Sequence, residues 1–213
     1  MRKEPITISL KQSLCSTAVE FLYFGQPLLD VANRLGPPKS WIANTSYQPV
    51  PLYWFYPGGL ELCFEPEQPY PLAWFKLSDV GRHKGRSTRF SHDVRMRNDF
   101  PMADMPVSGF LRSGLWDLDK VNVGICARPN FPTLDICIGC LRIPFLMNAE
   151  NEMALKNQLK DAPLSSRLKL FDSNCDFFGV YFSPEDAAIS RSPKEGWTTI
   201  SGKEYLRELE QAS

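Results

Sequence analysis

The chain has 213 residues, 43% apolar and 23% charged. This balance excludes global disorder and gives enough apolar surface for one large domain or two small ones. Its 24 Lys and Arg offset its 24 Asp and Glu, so no whole-protein field draws it to nucleic acid or an anionic membrane.

In chain order, Leu14, Ala18, Phe21 and Leu22 have helical spacing and predict a first helix over 14–24, capped by Ser13 or Ser16. Gly25-Gln26-Pro27 breaks the chain, and Pro27 suits the first turn of a second helix through Leu28, Val31, Ala32 and Leu35. Gly36 and Pro37-Pro38 end it. Pro51–Tyr56 and Leu60–Phe64, joined by Pro57-Gly58-Gly59, read as a β-hairpin with Leu60, Leu62 and Phe64 on one face. Leu72–Leu77 follows as a third strand. Residues 78–113 lack clear periodicity and read as a long connection or arm.

Val121–Cys126 and Leu134–Ile138 are strand-like runs on either side of a Pro-containing turn. Asn148 caps an expected helix through Lys160, with Glu150 and Glu152 near its positive end and Lys156 and Lys160 near its negative end. Phe177–Phe182 reads as one strand, and Ser201 with Glu204 resembles a capping box opening a last helix over Lys203–Gln211. This order predicts an α+β protein with a mainly antiparallel sheet flanked by a few helices. It is one domain over 1–213, or two subdomains divided near residues 105–115.

The N-terminus lacks the apolar core of a signal peptide, and no apolar run approaches the roughly 20 residues that span a bilayer. A cytoplasmic protein with reduced cysteines and no membrane contact is expected.

Cys137-Ile138-Gly139-Cys140 has the spacing of half a zinc site but no second ligand pair, so these cysteines read as structural, and no metal or cofactor is expected. His83, His92 and Asp93 are the residue types of a metal-assisted hydrolase. No nucleophile or metalloprotease motif surrounds them, so both histidines read as solvated loop residues. Arg82, Lys84, Arg86, Arg89, Arg95 and Arg97 lie in one segment with Asp93 as its sole acid, while the region from Asp172 onward is rich in acids. Such an arm suits carboxylates on a partner or phosphates of a nucleic acid, or it is a solvated loop or pairs with the acidic C-terminal third. The aromatics from Tyr53 to Phe75 are not interleaved with basic residues before Lys76, so they read as core rather than as a base-stacking platform.

Leu35-Gly36-Pro37-Pro38-Lys39-Ser40-Trp41, the aromatic strand through Tyr56, and Gly58-Gly59-Leu60-Glu61-Leu62-Cys63-Phe64 resemble a pattern in small bacterial proteins. That pattern is a leucine–glycine–x–proline–x–x–tryptophan turn, an aromatic strand, a tyrosine–glycine turn and a leucine–glutamate strand. These proteins look like immunity proteins of secreted bacterial toxins. The resemblance covers about residues 27–64, with Pro57 separating Tyr56 from the glycines. It implies a non-enzymatic cytoplasmic protein that binds and neutralises a cognate toxin by occluding its active site. The setting would be bacterial competition such as type VI secretion, and the toxin a nuclease or another effector acting in the cytoplasm. The basic residues 82–97 are then the expected partner-binding set, and no specific nucleic acid is expected. The alternatives are the hydrolase and a nucleic-acid-binding module using the same arm.

Overall fold

The computed structural model describes residues 5–43, 50–81, 85–102, 104–126, 132–147, 162–184 and 197–211. The chain divides into two compact units, Met1–Pro101 with Gly179–Glu185, and Met102–Phe178 with Asp186–Ser213. The fold is α+β, with mainly antiparallel sheets flanked by helices.

The first unit opens with a short strand, β1 (Ile6–Ser9), and a helix, α1 (Leu10–Ser16). The helix starts earlier and ends sooner than its apolar spacing predicts. Ser9 is the N-cap, accepting from the Gln12 amide, and Thr17 turns left-handed at φ 53°. Ser13 and Ser16 are not caps, since their hydroxyls donate back to Ser9 O and Gln12 O inside the helix. The second helix, α2 (Leu28–Leu35), forms where expected and stops at Gly36, whose φ of 79° is one a side chain rarely adopts. Tyr56 donates its hydroxyl to Gly36 O at 2.8 Å and so ties the helix end to the sheet.

That sheet has the order β2 (Ser40–Ile42), β3 (Tyr53–Tyr56), β4 (Leu60–Phe64), β5 (Leu72–Leu77) and, arriving from late in the chain, β12 (Val180–Phe182). All its pairings are antiparallel. The hairpin turns through a short 3-10 stretch, Pro57–Gly59. Leu60, Leu62 and Phe64 are buried on one face as their alternation requires, with Trp54, Tyr56, Phe75 and Leu77. Tyr53, Phe55 and Trp74 sit half-buried on the opposite face.

The segment 78–113 is not an irregular connection. It contains β6 (Ser87–Arg89), β7 (Val94–Arg97) and a short helix, α3 (Val107–Leu111). β6 and β7 form an antiparallel hairpin, and β1 adds to β7 in parallel, giving a three-stranded sheet in the order β1-β7-β6.

In the second unit, β13 (Trp197–Ser201), β8 (Asn122–Cys126), β9 (Thr133–Ile138), β10 (Leu141–Met147) and β11 (Cys175–Phe177) pair antiparallel in that order. Pro144 lies inside β10, opposite Asp135. Proline cannot donate, and its carbonyl accepts from Phe178 N at 3.0 Å. The expected strand over 177–182 is broken at Phe178-Gly179 into β11 and β12. The helix expected over 148–160 falls outside the described residues. An unanticipated helix, α4 (Leu164–Asn174), follows them.

The last helix, α5 (Gly202–Gln211), is capped as expected by Ser201, whose hydroxyl accepts from Glu204 N at 3.1 Å. Asp172 on α4 joins the three helices that the described residues of this unit form. It accepts from Ser108 N and Ser108 Oγ on α3, both at 2.7 Å, and from the buried Tyr205 hydroxyl on α5 at 3.2 Å. Burial and the neighbouring carboxylate hold the Tyr205 hydroxyl well above the usual tyrosine range, so it stays a donor.

No helix among the described residues is long and apolar enough to cross a membrane.

Candidate functional site

The basic segment folds as strands because its residues alternate. Val94 and Met96 point into the core with Phe90, while Arg95 and Arg97 point outward and are exposed. Across the hairpin Arg89 stands directly opposite Arg95, and Ser87 opposite Arg97. On the other flank Thr7 and Ser9 of β1 face Arg95 and Arg97. The three-stranded sheet therefore presents one polar face carrying Arg89, Arg95 and Arg97. Arg86 is exposed just before β6.

This face is held by a buried frame. Asn98 is almost inaccessible. Its side-chain oxygen accepts from Gly81 N at 3.2 Å, and its amide donates to Thr88 Oγ1 at 3.1 Å. Its backbone N–H donates to Arg86 O and its carbonyl accepts from Gly85 N. The β3–β4 turn presses against β6 so closely that a Cβ at Gly58 would lie 2.8 Å from Arg89 O, so only glycine fits there. Asp99 accepts from Ser9 Oγ at 2.7 Å, Lys11 N at 2.9 Å and Arg97 Nε at 3.0 Å. Burial pushes its carboxyl up, but these hydrogen bonds outweigh burial and hold it below the usual carboxylate range.

Arg89 donates from Nε to Ser91 O at 2.9 Å. Among the described residues Arg95 has no acid within ion-pair distance. Arg82, His83 and Lys84 lie outside the described residues.

His92 and Asp93 sit together at the hairpin tip, Nδ1 to Oδ1 at 2.6 Å, with side chains 83% and 44% exposed. The imidazole hydrogen bond is the main cause holding the Asp93 carboxyl below its ordinary range, and Arg34 and Arg89 add to it. Among the described residues no three His, Cys, Asp or Glu side chains gather closely enough to hold a metal ion.

A second polar cluster lies on the half-buried face of the β3–β4–β5 sheet. The Glu61 carboxylate accepts from Tyr53 Oη at 2.7 Å, Ser78 Oγ at 3.1 Å and Lys76 Nζ at 3.2 Å. The Lys76 ammonium also lies 5.3 Å from the centre of the Tyr181 ring. Desolvation, then the Glu61 hydrogen bond, keep the Tyr53 phenol protonated well above its usual range. The cluster rests on alternate residues of neighbouring strands and was missed because no local motif marks it. Its sequence signal was Glu61 and Lys76 at strand positions that antiparallel pairing brings opposite one another.

Compared with protein-family models, curated proteins and solved structures, the chain matches none.

Proposed function

We propose that the protein is a non-catalytic binding protein of the immunity type, which neutralises a bacterial toxin by docking a carboxylate-bearing surface of it on the Arg89–Arg95–Arg97 face. One observation carries this reading. Arg89 and Arg95 are directly opposite one another on adjacent strands, an arrangement of like charge that destabilises a sheet. A fold that tolerates this repulsion gains nothing from it internally, whereas a partner's carboxylates would relieve it with bidentate hydrogen bonds. The resemblance over residues 27–64 supports the same class.

The sign of the charge refines the partner. A nuclease binds its substrate in a cationic cleft, which a cationic face repels. The matching toxin surface is therefore acidic, and occlusion of a nuclease would work from an acidic flank of its active site.

The test uses the full chain and whichever secreted toxin is found encoded beside its gene. Arg89→Ala with Arg95→Ala should leave thermal unfolding unchanged or slightly improved and weaken toxin binding at least tenfold. Part of that loss should appear as a slower, salt-sensitive association rate. Unchanged affinity would remove this face from the interface. Tight binding of generic RNA or DNA at physiological salt, lost in the same variant, would replace this reading with a nucleic-acid-binding one.

A further inference from the structure

We infer that β2 is a second part of the docking surface, an open sheet edge that takes up an extended strand from the same acidic partner; this rests on the reading above. β2 ends the first unit's sheet, with β3 as its sole strand neighbour among the described residues. Its three residues are all exposed, and Trp41 and Ile42 are 59% and 53% accessible. Successive strand residues point to opposite faces, so both faces of this edge are apolar and open. A partner packing on one face would leave the other side chain in water, whereas an added strand flanks both and satisfies the free backbone groups.

Other strand edges in the molecule carry polar protection that β2 lacks. β6 has Ser87 and Arg89 exposed, and β13 has Thr198 and Thr199 exposed, the polar and charged residues that ordinarily discourage edge pairing. β2 contains no charge and no proline, and its register with β3 runs without a bulge. The three-residue length of β2 is what protects it as an edge, and the tryptophan it exposes is of a type enriched among interface hot spots.

Continuity with the cationic face names the partner. Lys39, just before β2, donates its N–H to Phe55 O at 2.8 Å. Three residues further along, Gly58 is pressed against the backbone of Arg89. Three residues span at most about 10 Å, so the start of β2 and the cationic sheet border the same end of β3. A strand laid along β2 therefore runs from apolar contacts toward Lys39 and Arg89, and its complement is an alternating apolar strand with acids at one end. The edge alone exposes too little for a stable homodimer, which needs roughly 800 Å² from each partner.

The probe is a phage-displayed library of random linear dodecapeptides selected on the full-length protein. Enriched peptides should alternate apolar and polar residues, carry Asp or Glu at one end, and slow amide exchange in residues 39–42. Trp41→Ser and, separately, Ile42→Lys should each weaken them at least tenfold without changing thermal unfolding. No enrichment, or exchange protection only elsewhere, would overturn the inference. Concentration-dependent dimerisation abolished by Ile42→Lys would overturn it in favour of self-pairing. Peptides that protect 39–42 but carry no acids and bind the Arg89→Ala, Arg95→Ala variant equally well would keep the strand edge and refute the acidic partner, which separates this failure from that of the parent reading.

Discussion

The middle strands of the two units carry nearly the same residues, Leu60-Glu61-Leu62-Cys63-Phe64 in β4 and Leu134-Asp135-Ile136-Cys137-Ile138 in β9. Their registers match as well. Leu62 lies between Trp54 and Phe75, and Ile136 between Val123 and Ile143, all buried. On the opposite face the two diverge. Glu61 has Lys76 directly across from it and fills its remaining acceptor sites with Tyr53 and Ser78. Asp135 is shorter and is met by Arg142 from two pairs further along, through two bonds of 2.8 and 3.3 Å. Beside Glu61 stands Phe55, and beside Asp135 stands Gly124, against which Trp197 packs. Core packing admits few solutions, so the core faces agree. A buried acid can be satisfied by several donor sets, so the other faces differ.

The largest test of this equivalence is truncation of the shared core position. Leu62→Ala and Ile136→Ala should each cost about 2–5 kcal/mol in urea unfolding, because each leaves a cavity between two buried neighbours. A loss below about 1 kcal/mol at either site would mean that this strand's neighbours collapse into the space, and the equivalence would fail there.

The acids should part company next. Asp135→Ala removes two bonds of 2.8 and 3.3 Å from an arginine that cannot shed its proton and whose side chain is only 20% exposed, so a loss of about 3 kcal/mol is expected. Lys76→Met removes one of three donors from Glu61 and leaves the Tyr53 and Ser78 hydroxyls in place. Its expected cost is about 1 kcal/mol. Equal losses in equilibrium unfolding would show that the two donor sets are not distinguished as drawn.

Much of this framework was legible in the sequence where one strand face is wholly apolar. β3, β4, β5, β8 and β9 are marked by alternation or by short apolar runs between turns, and α2 by its Pro27 and Gly36 bounds. β10 was hidden by Pro144, which is tolerated because its missing N–H lies on the same side as its carbonyl, toward Phe178 and the break between β11 and β12, so the β9 ladder loses no donor. The cationic hairpin was hidden by its own charged residues. Val94-Arg95-Met96-Arg97 alternates with period two, but with four residues its signal was outweighed by the surrounding charge. β1 alternates in Ile6-Thr7-Ile8-Ser9, but four residues are a weak signal, and its parallel partner β7 lies more than eighty residues away. The six basic residues were legible as a cluster. The face shared by Arg89, Arg95 and Arg97 was not, since it depends on the register that sets Arg89 opposite Arg95.

The smallest expected effect lies at Gly124, where the second unit has no side chain and the first has Phe55. The backbone there is ordinary strand, so a methyl group carries no conformational penalty and should gain roughly 0.5–1 kcal/mol over glycine. The added Cβ would lie 3.1 Å from Trp197 Cζ3 and 3.3 Å from Cε3, tighter than a relaxed contact, so the indole must give way. Trp197 is only half-buried and can move a few tenths of an ångström, at a cost of about 1 kcal/mol. Gly124→Ala should therefore be neutral to slightly destabilising in the native chain. With Trp197→Ala already present, the same substitution should become stabilising by about 0.5 kcal/mol, because the gain remains and the clash is gone. The double-mutant cycle by urea unfolding isolates that reversal of sign. Gly124→Ala behaving identically in both backgrounds would show that Trp197 does not require the glycine, and that the divergence from Phe55 has another cause.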